Sequence, residues 1–326
     1  MRVLVATESE VLMVDPARAT TSPADGPDDR PTCLAADPAV PGRAWCGTRA
    51  AGVFRSEDGG GSWHQVGLEG RLIMSLAASP AESGLVWAGT EPSEVWRSGA
   101  GGGPWERARG MEALPSSSEW AFPPRPETHH VRWIACHPTE PGRLWVAIEA
   151  GALVATPDGG RTWQDRVPGG PYDTHELAVH PAAPDTLRVS AGDGYYESHD
   201  GGATWDSPDN GLEVGYLRSV AIDPGDPETV VVSAAAGPRT AYVAGRSDGR
   251  LYRRVGGGAW ERVQDGWPDP PTTIAPLLSA GAGAGELWAA DERGVHRSED
   301  GGASWRRVAG FPRPPDHLRA LVAFRG

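Results

Sequence analysis

The sequence contains no lysine; all 30 of its basic residues are arginine. That absence excludes Schiff-base chemistry, a lysine general base and the lysine of a phosphate-binding P-loop. It is otherwise what a GC-rich genome produces. Cysteine is scarce as well. Cys33, Cys46 and Cys136 show no C-x-x-C spacing and are too few for a disulfide scaffold, so a reduced, cytoplasmic protein is expected. The N-terminal MRVLVATESEVLMVD has no apolar core and two acids within ten residues, and reads as strand, turn, strand rather than signal peptide or anchor. Positive charge is in deficit too. A formal charge of −13 argues against nucleic acid or an anionic membrane surface as a partner.

Glycine, proline and tryptophan are abundant: 44, 31 and 14 residues, in a chain only 39% hydrophobic. Gly and Pro spaced regularly between short apolar runs indicate many strands joined by tight turns. An octet recurs at Ser56–Trp63, Thr156–Trp163, Ser198–Trp205 and Ser298–Trp305, each of the form [ST]-x-D-G-G-x-[ST]-W. Two degenerate copies end at Trp105 and Trp260, without the Asp. The terminal tryptophans lie 42, 58, 42, 55 and 45 positions apart, so the basic unit is about the size of one four-stranded propeller blade. Within the octet, Asp accepts backbone N–H groups of the following turn and the glycines supply positive φ. The octet is a turn-making device, not a reaction centre.

Each octet is preceded by a first strand ending in a turn (TCLAADP, IMSLAASP, RWIACHP, ELAVHP, RSVAIDP) and a second strand such as GRAWCGT or GRLWVAI. Trp45, Trp87, Trp145 and Trp288 share one column of the second strand, the place for large apolar filler between blades. Six units run from about Thr32 to Val308. The C-terminal HLRALVAF fits a first strand, and the N-terminal RVLVATESEVLMVD a second and third. The expectation is therefore one all-β domain over 1–326: a seven-bladed β-propeller with four-stranded blades, its ring closed by a blade shared between the chain ends. Six blades with loose termini is the alternative.

The octets resemble the Asp-box, or BNR, repeat, and the whole chain is similar to BNR/YVTN-type, sialidase-like propellers. Their relatives include sialidases, xyloglucanase-type glycoside hydrolases, sortilin-type receptors and the photosystem II assembly propeller. The resemblance implies a fold and leaves activity open, because all these functions share the motif. It also implies that the octets join third to fourth strands, away from the usual binding face. That face would be built from fourth-to-first loops (66–73, 108–131, 166–175, 208–217, 263–274, 308–318 and 15–32) and second-to-third loops.

Two insertions fall on it. One spans 109–130 with Glu119, Trp120, Arg125, His129 and His130; the other spans 235–248 with Arg239 and Tyr242. Long loops on a compact scaffold carry function or are Pro-rich tolerated insertions. Aligned first strands give one column: Thr32, Met74, Arg132, His175, Arg218, Ile274 and Arg319. First strands line a propeller's channel, so Arg132, Arg218, Arg319 and His175 would converge at its mouth, near Tyr216 and Trp120. Three arginines can hold a carboxylate, sulfate or phosphate through bidentate bonds. Alternatively each pairs with an acid such as Glu176, Glu149, Glu91, Asp193 or Asp291.

A sialidase would need, besides three arginines, a Tyr nucleophile with Glu and an Asp acid/base, and no such set is assignable here. Xyloglucanase-type enzymes place their acids between two propellers, and this chain has length for one. His129, His130, His175 and His317 end linkers reaching one rim, yet no metal motif such as HExxH supports them, so no metal and no cofactor is expected. The first expectation is a non-catalytic, monomeric binding or scaffolding propeller for a protein segment or small anionic ligand. The alternative is a cytosolic, glycosidase-like hydrolase or lyase acting on an anionic substrate.

Overall fold

The computed structural model describes residues 1–99 and 101–326. It is nearly all β: small antiparallel sheets, two short 3₁₀ turns within 109–130, and one five-residue helix, Pro238–Tyr242. Each sheet is a meander opening with one of the first strands Pro31–Ala36, Leu72–Ala78, Val131–Cys136, Thr174–His180, Tyr216–Asp223 and Leu277–Ala280. A further meander combines both chain ends. Leu318–Phe324 pairs antiparallel with Arg2–Thr7, followed outward by Val11–Asp15 and Thr20–Pro23. A single parallel bridge, Gly310 to Thr20, joins it to the preceding sheet. Thr20–Pro23 is thus an outer strand, where the sequence suggested only loop. The first strands pack side by side in chain order, and Leu318–Phe324 packs back on Pro31–Ala36.

Second strands are the most deeply enclosed elements, because both faces meet a neighbouring sheet. Ala44–Thr48, Leu144–Ile148 and Leu287–Asp291 are buried at every residue. Trp45, Trp87, Trp145 and Trp288 are among their core side chains, none more than 2% exposed. Trp45 and Trp145 also donate their indole N–H across to Gly101 and Gly201 carbonyls at 3.1 and 2.9 Å, tying each sheet to the next. Truncating one such tryptophan costs about 3–5 kcal/mol.

The octets work as turn chemistry requires. Asp58 accepts the Ser62 N–H at 3.0 Å and its hydroxyl at 2.8 Å, Ser56 holds the Gly60 N–H at 2.9 Å, and Trp63 donates to the Gly60 carbonyl at 3.1 Å. Gly60 has φ 94°, and a Cβ there would stand 2.5 Å from Leu4, so glycine is needed for both backbone and packing. Burial pushes the Asp58 carboxyl up, but its N–H and hydroxyl donors outweigh this and hold it at about 2. Asp158 and Asp200 sit at about 2, set chiefly by their hydrogen bonds from Thr162 and Thr204.

Fourth strands are uneven. Sheets beginning at Val131 and Thr174 have three strands, and their outer segments touch only through the bridges Ala155–Gln164 and Glu197–Asp206. The segments that follow, QDRVPGG and DSPDNG, carry Pro168 and Pro208, which cannot donate to a ladder. The expectation of four strands in every sheet is corrected here.

Candidate functional site

A common irregularity builds the site. Strand pairing skips one residue near the start of six first strands: Thr32, Met74, Arg132, His175, Arg218 and Arg319. These are six of the seven column residues. A bulge inserts one unpaired residue and re-aims its side chain. The seventh position differs from the sequence alignment. Leu277 pairs with Ala290, which puts Pro276 in register, whereas Ile274 is buried among Val3, Val5 and Trp288. The bulges lie beside the second-to-third turns. The octets lie at the opposite strand ends, where Gly59, Gly159 and Gly301 bond to the first-to-second turns at 2.7–2.9 Å.

All the first strands contribute to one central cavity of about 60 Å³, which includes Arg132, His175, Glu176, Arg218 and Arg319. That space suits a few waters, not a sugar ring. Arg218 is 3% exposed and donates to the carbonyls of Ala275 and Leu318 at 2.6 and 2.9 Å. Burial pulls its guanidinium down to about 10. Glu176, facing the same cavity, is pushed up to about 8 by burial while accepting the Ser219 hydroxyl. Arg319 is exposed at the mouth, and among the described residues no carboxylate lies within 4 Å of it, Glu8 acting on it only at longer range. Arg132 is mostly buried, its side chain 27% exposed, with Glu149 at 3.6 Å and its buried Nε–H unpartnered. Of the acids offered as partners, only Glu149 reaches an arginine of the column.

Above the cavity the rim is rich in titratable groups. His130 bonds Glu149 at 2.6 Å, and His175 Nδ1 lies 2.5 Å from the Leu217 carbonyl. Tyr216 places its hydroxyl 3.4 Å from His175 Nε2 and 3.4 Å from the Tyr242 hydroxyl. Burial and then the Arg132 charge lower the His175 imidazole. Burial raises Asp173, whereas Glu149 falls to about 2, because Arg132 and His130 overcome its burial. Glu149, Asp173 and His175 each present a donor atom within 4.8 Å of the others, the one such His–carboxylate group among the described residues. Asp173 was missed in the sequence. Its signal is the D-x-H spacing to His175 across the strand start, legible only once the bulge is known.

Trp120 stands apart from these residues. It is 6% exposed, packs on Met111, Val131 and Ile148, and donates to Ser116 Oγ at 3.0 Å. The insertion 109–130 folds back as a plug between the sheets opening at Leu72 and Val131, held also by the bidentate Arg125–Glu91 pair. His317 lies elsewhere, its N–H on Glu8 at 3.0 Å. The larger concavity, about 660 Å³, opens on the octet side between Trp145, Leu153 and Asp200–Trp205. It is the gap left by the missing fourth strand, and its arginines are already paired, Arg143 with Asp185 and Arg166 with Glu119.

Meanders whose first strands surround a channel define a β-propeller. Solved structures of that fold match the chain. A GH74 enzyme of Niastella koreensis superposes with TM-score 0.72 at 16% identity, covering 94% of this chain and 52% of that one. The GH74 xyloglucanase of Xanthomonas campestris gives 0.68 at 15%, covering 98% and 52%. YCF48 bound to a D1 peptide gives 0.61 at 16%, covering 94% and 83%. The chain spans about half the length of these GH74 proteins. At such identity the likeness shows the fold alone. No family model matches the sequence, and no curated protein sequence matches it.

Proposed function

We propose that the chain is a single seven-bladed propeller of the Asp-box type, closed by its paired ends, that binds an anionic ligand without turning it over. The ligand is a protein segment or a small anion, held at the channel mouth by Arg132 and Arg319. The observation that carries this reading is an imbalance at the mouth. Among the described residues Arg319 has no carboxylate within 4 Å and Arg132 has one at 3.6 Å, while the cavity beneath, about 60 Å³, is too small to receive a sugar. Charge-assisted bonds to an anion would complete both guanidinium groups. Peptide binding by a propeller of this fold is named for YCF48. A reducing cytoplasm is the compartment that the three unpaired cysteines suit. Crystals soaked in sulfate or acetate test the reading. Anion density touching Arg132 and Arg319 supports it, and saturating soaks that leave the mouth empty refute it.

One observation favours a second reading, a hydrolase or lyase. Glu149 and Asp173 lie within 4.8 Å and their surroundings push the two carboxyls apart, the pattern of an acid/base pair. Retaining glycosidases separate their carboxyls by about 5–5.5 Å. Turnover of any chromogenic glycoside, lost in Arg132→Ala, would establish it over binding alone.

A further inference from the structure

We infer that Glu149, Asp173 and His175 form a site for one divalent transition-metal ion. Two neighbouring sheets build it. Glu149 follows the second strand Leu144–Ile148, Asp173 precedes the first strand Thr174–His180, and His175 is that strand's bulge residue.

The case rests on which atom of each side chain is left over. Glu149 Oε2 is engaged by His130 Nε2 at 2.6 Å and faced by Arg132, while Oε1 points to His175. Asp173 Oδ1 accepts the Ala150 N–H at 3.0 Å, while Oδ2 points to His175. His175 Nδ1 lies 2.5 Å from the Leu217 carbonyl, which only accepts, so Nδ1 carries the proton and Nε2 presents its lone pair. Each residue is thus anchored from outside through one atom and offers the other. This is how outer partners orient metal ligands. His175 is 2% exposed, so its ring is fixed.

The spacing discriminates between a metal and an ion triad. Nε2 stands 3.8 Å from Asp173 Oδ2 and 3.9 Å from Glu149 Oε1, beyond hydrogen-bond reach. A protonated imidazole would draw at least one carboxylate closer. Three atoms so spaced, none more than 4.8 Å apart, share a centre no more than about 2.5 Å from each, near the bond lengths of a metal to imidazole and carboxylate.

One nitrogen and two oxygens suit Zn²⁺, a borderline ion, and leave the harder Mn²⁺, which prefers carboxylates, as the second candidate, ahead of Ca²⁺ and Mg²⁺ with their all-oxygen shells. Three protein ligands leave coordination positions open. Tyr216, 3.4 Å from Nε2, borders them, and Arg132 stands on the far side of Glu149. The inference does not depend on the anion-binding reading, whose soaks can be run in EDTA and fail or succeed separately.

Full-length protein, stripped with EDTA and dialysed, is titrated calorimetrically with ZnCl₂ and, separately, MnCl₂. At least one ion should bind at one per chain, and Asp173→Asn and His175→Gln should each weaken it tenfold or more. His130→Gln, which removes an outer anchor, should weaken it by about 10- to 100-fold. Asp173→Asn keeps the Ala150 acceptor and side-chain shape, so it stays a fair test if His175→Gln does not fold. Failure of both ions to saturate at one per chain overturns the inference. So does one-to-one binding that Asp173→Asn leaves unchanged.

Discussion

The guanidinium of Arg218 lies 4.6 Å over the ring of Tyr242 while its two terminal nitrogens hold the carbonyls of Ala275 and Leu318. Four separate segments meet at this one side chain, including the insertion 235–248 and the last strand. Arg218 is therefore a strut within the ring rather than an open grip. Arg218→Ala leaves two buried carbonyls unpaired and should cost about 3 kcal/mol in urea unfolding. An unfolding midpoint equal to wild type would show that those bonds carry no load.

Trp120 gives a contrasting test. It lies in the core between two neighbouring sheets, so Trp120→Ala should lose about 3–5 kcal/mol of stability. Anion affinity per folded molecule should stay within twofold of wild type, and a selective loss of affinity at unchanged stability would put Trp120 back among the ligand contacts.

The octet carboxylates set the acid limit. Asp58, Asp158 and Asp200 are held at about 2, below the usual aspartate value of 3.8. Depressed groups contribute stability fully above the unfolded value, and lose it as pH falls through the folded one. Glu176, raised to about 8, makes stability decline as pH rises from about 4.5 through 8. The octets show on the acid side, where thermal unfolding followed by circular dichroism should show the melting temperature falling between about pH 4 and 2. In the triple variant Asp58→Asn, Asp158→Asn, Asp200→Asn, that fall should shrink. A fall of the same size would move the acid lability to other carboxylates.

Much of the fold was legible because the octets state it locally: Asp, two glycines and Trp dictate a turn whatever surrounds them. The paired chain ends were legible from leftover strand patterns. The fourth strands were not, since one proline in QDRVPGG weakens a ladder without marking where pairing stops. In the candidate site, the column Arg132, His175, Arg218 and Arg319 could be read from aligned strands, but not the bulges that turn it inward. Ile274 was two positions off for that reason, because the turn before Leu277 shifts the register. Trp120 misled because an insertion's length says nothing about whether it faces outward or packs down. Asp173 and Glu149 come from different units, and only packing brings them together.

The most direct test of binding at the mouth is fluorescence anisotropy of a labelled poly-glutamate peptide against wild type, Arg132→Ala, Arg319→Ala and the octet-face variant Asp185→Asn. Affinity should fall about tenfold in each arginine variant, about 1.4 kcal/mol, fall again with added sulfate, and hold in Asp185→Asn. Equal affinity in wild type and both arginine variants would contradict binding at this face.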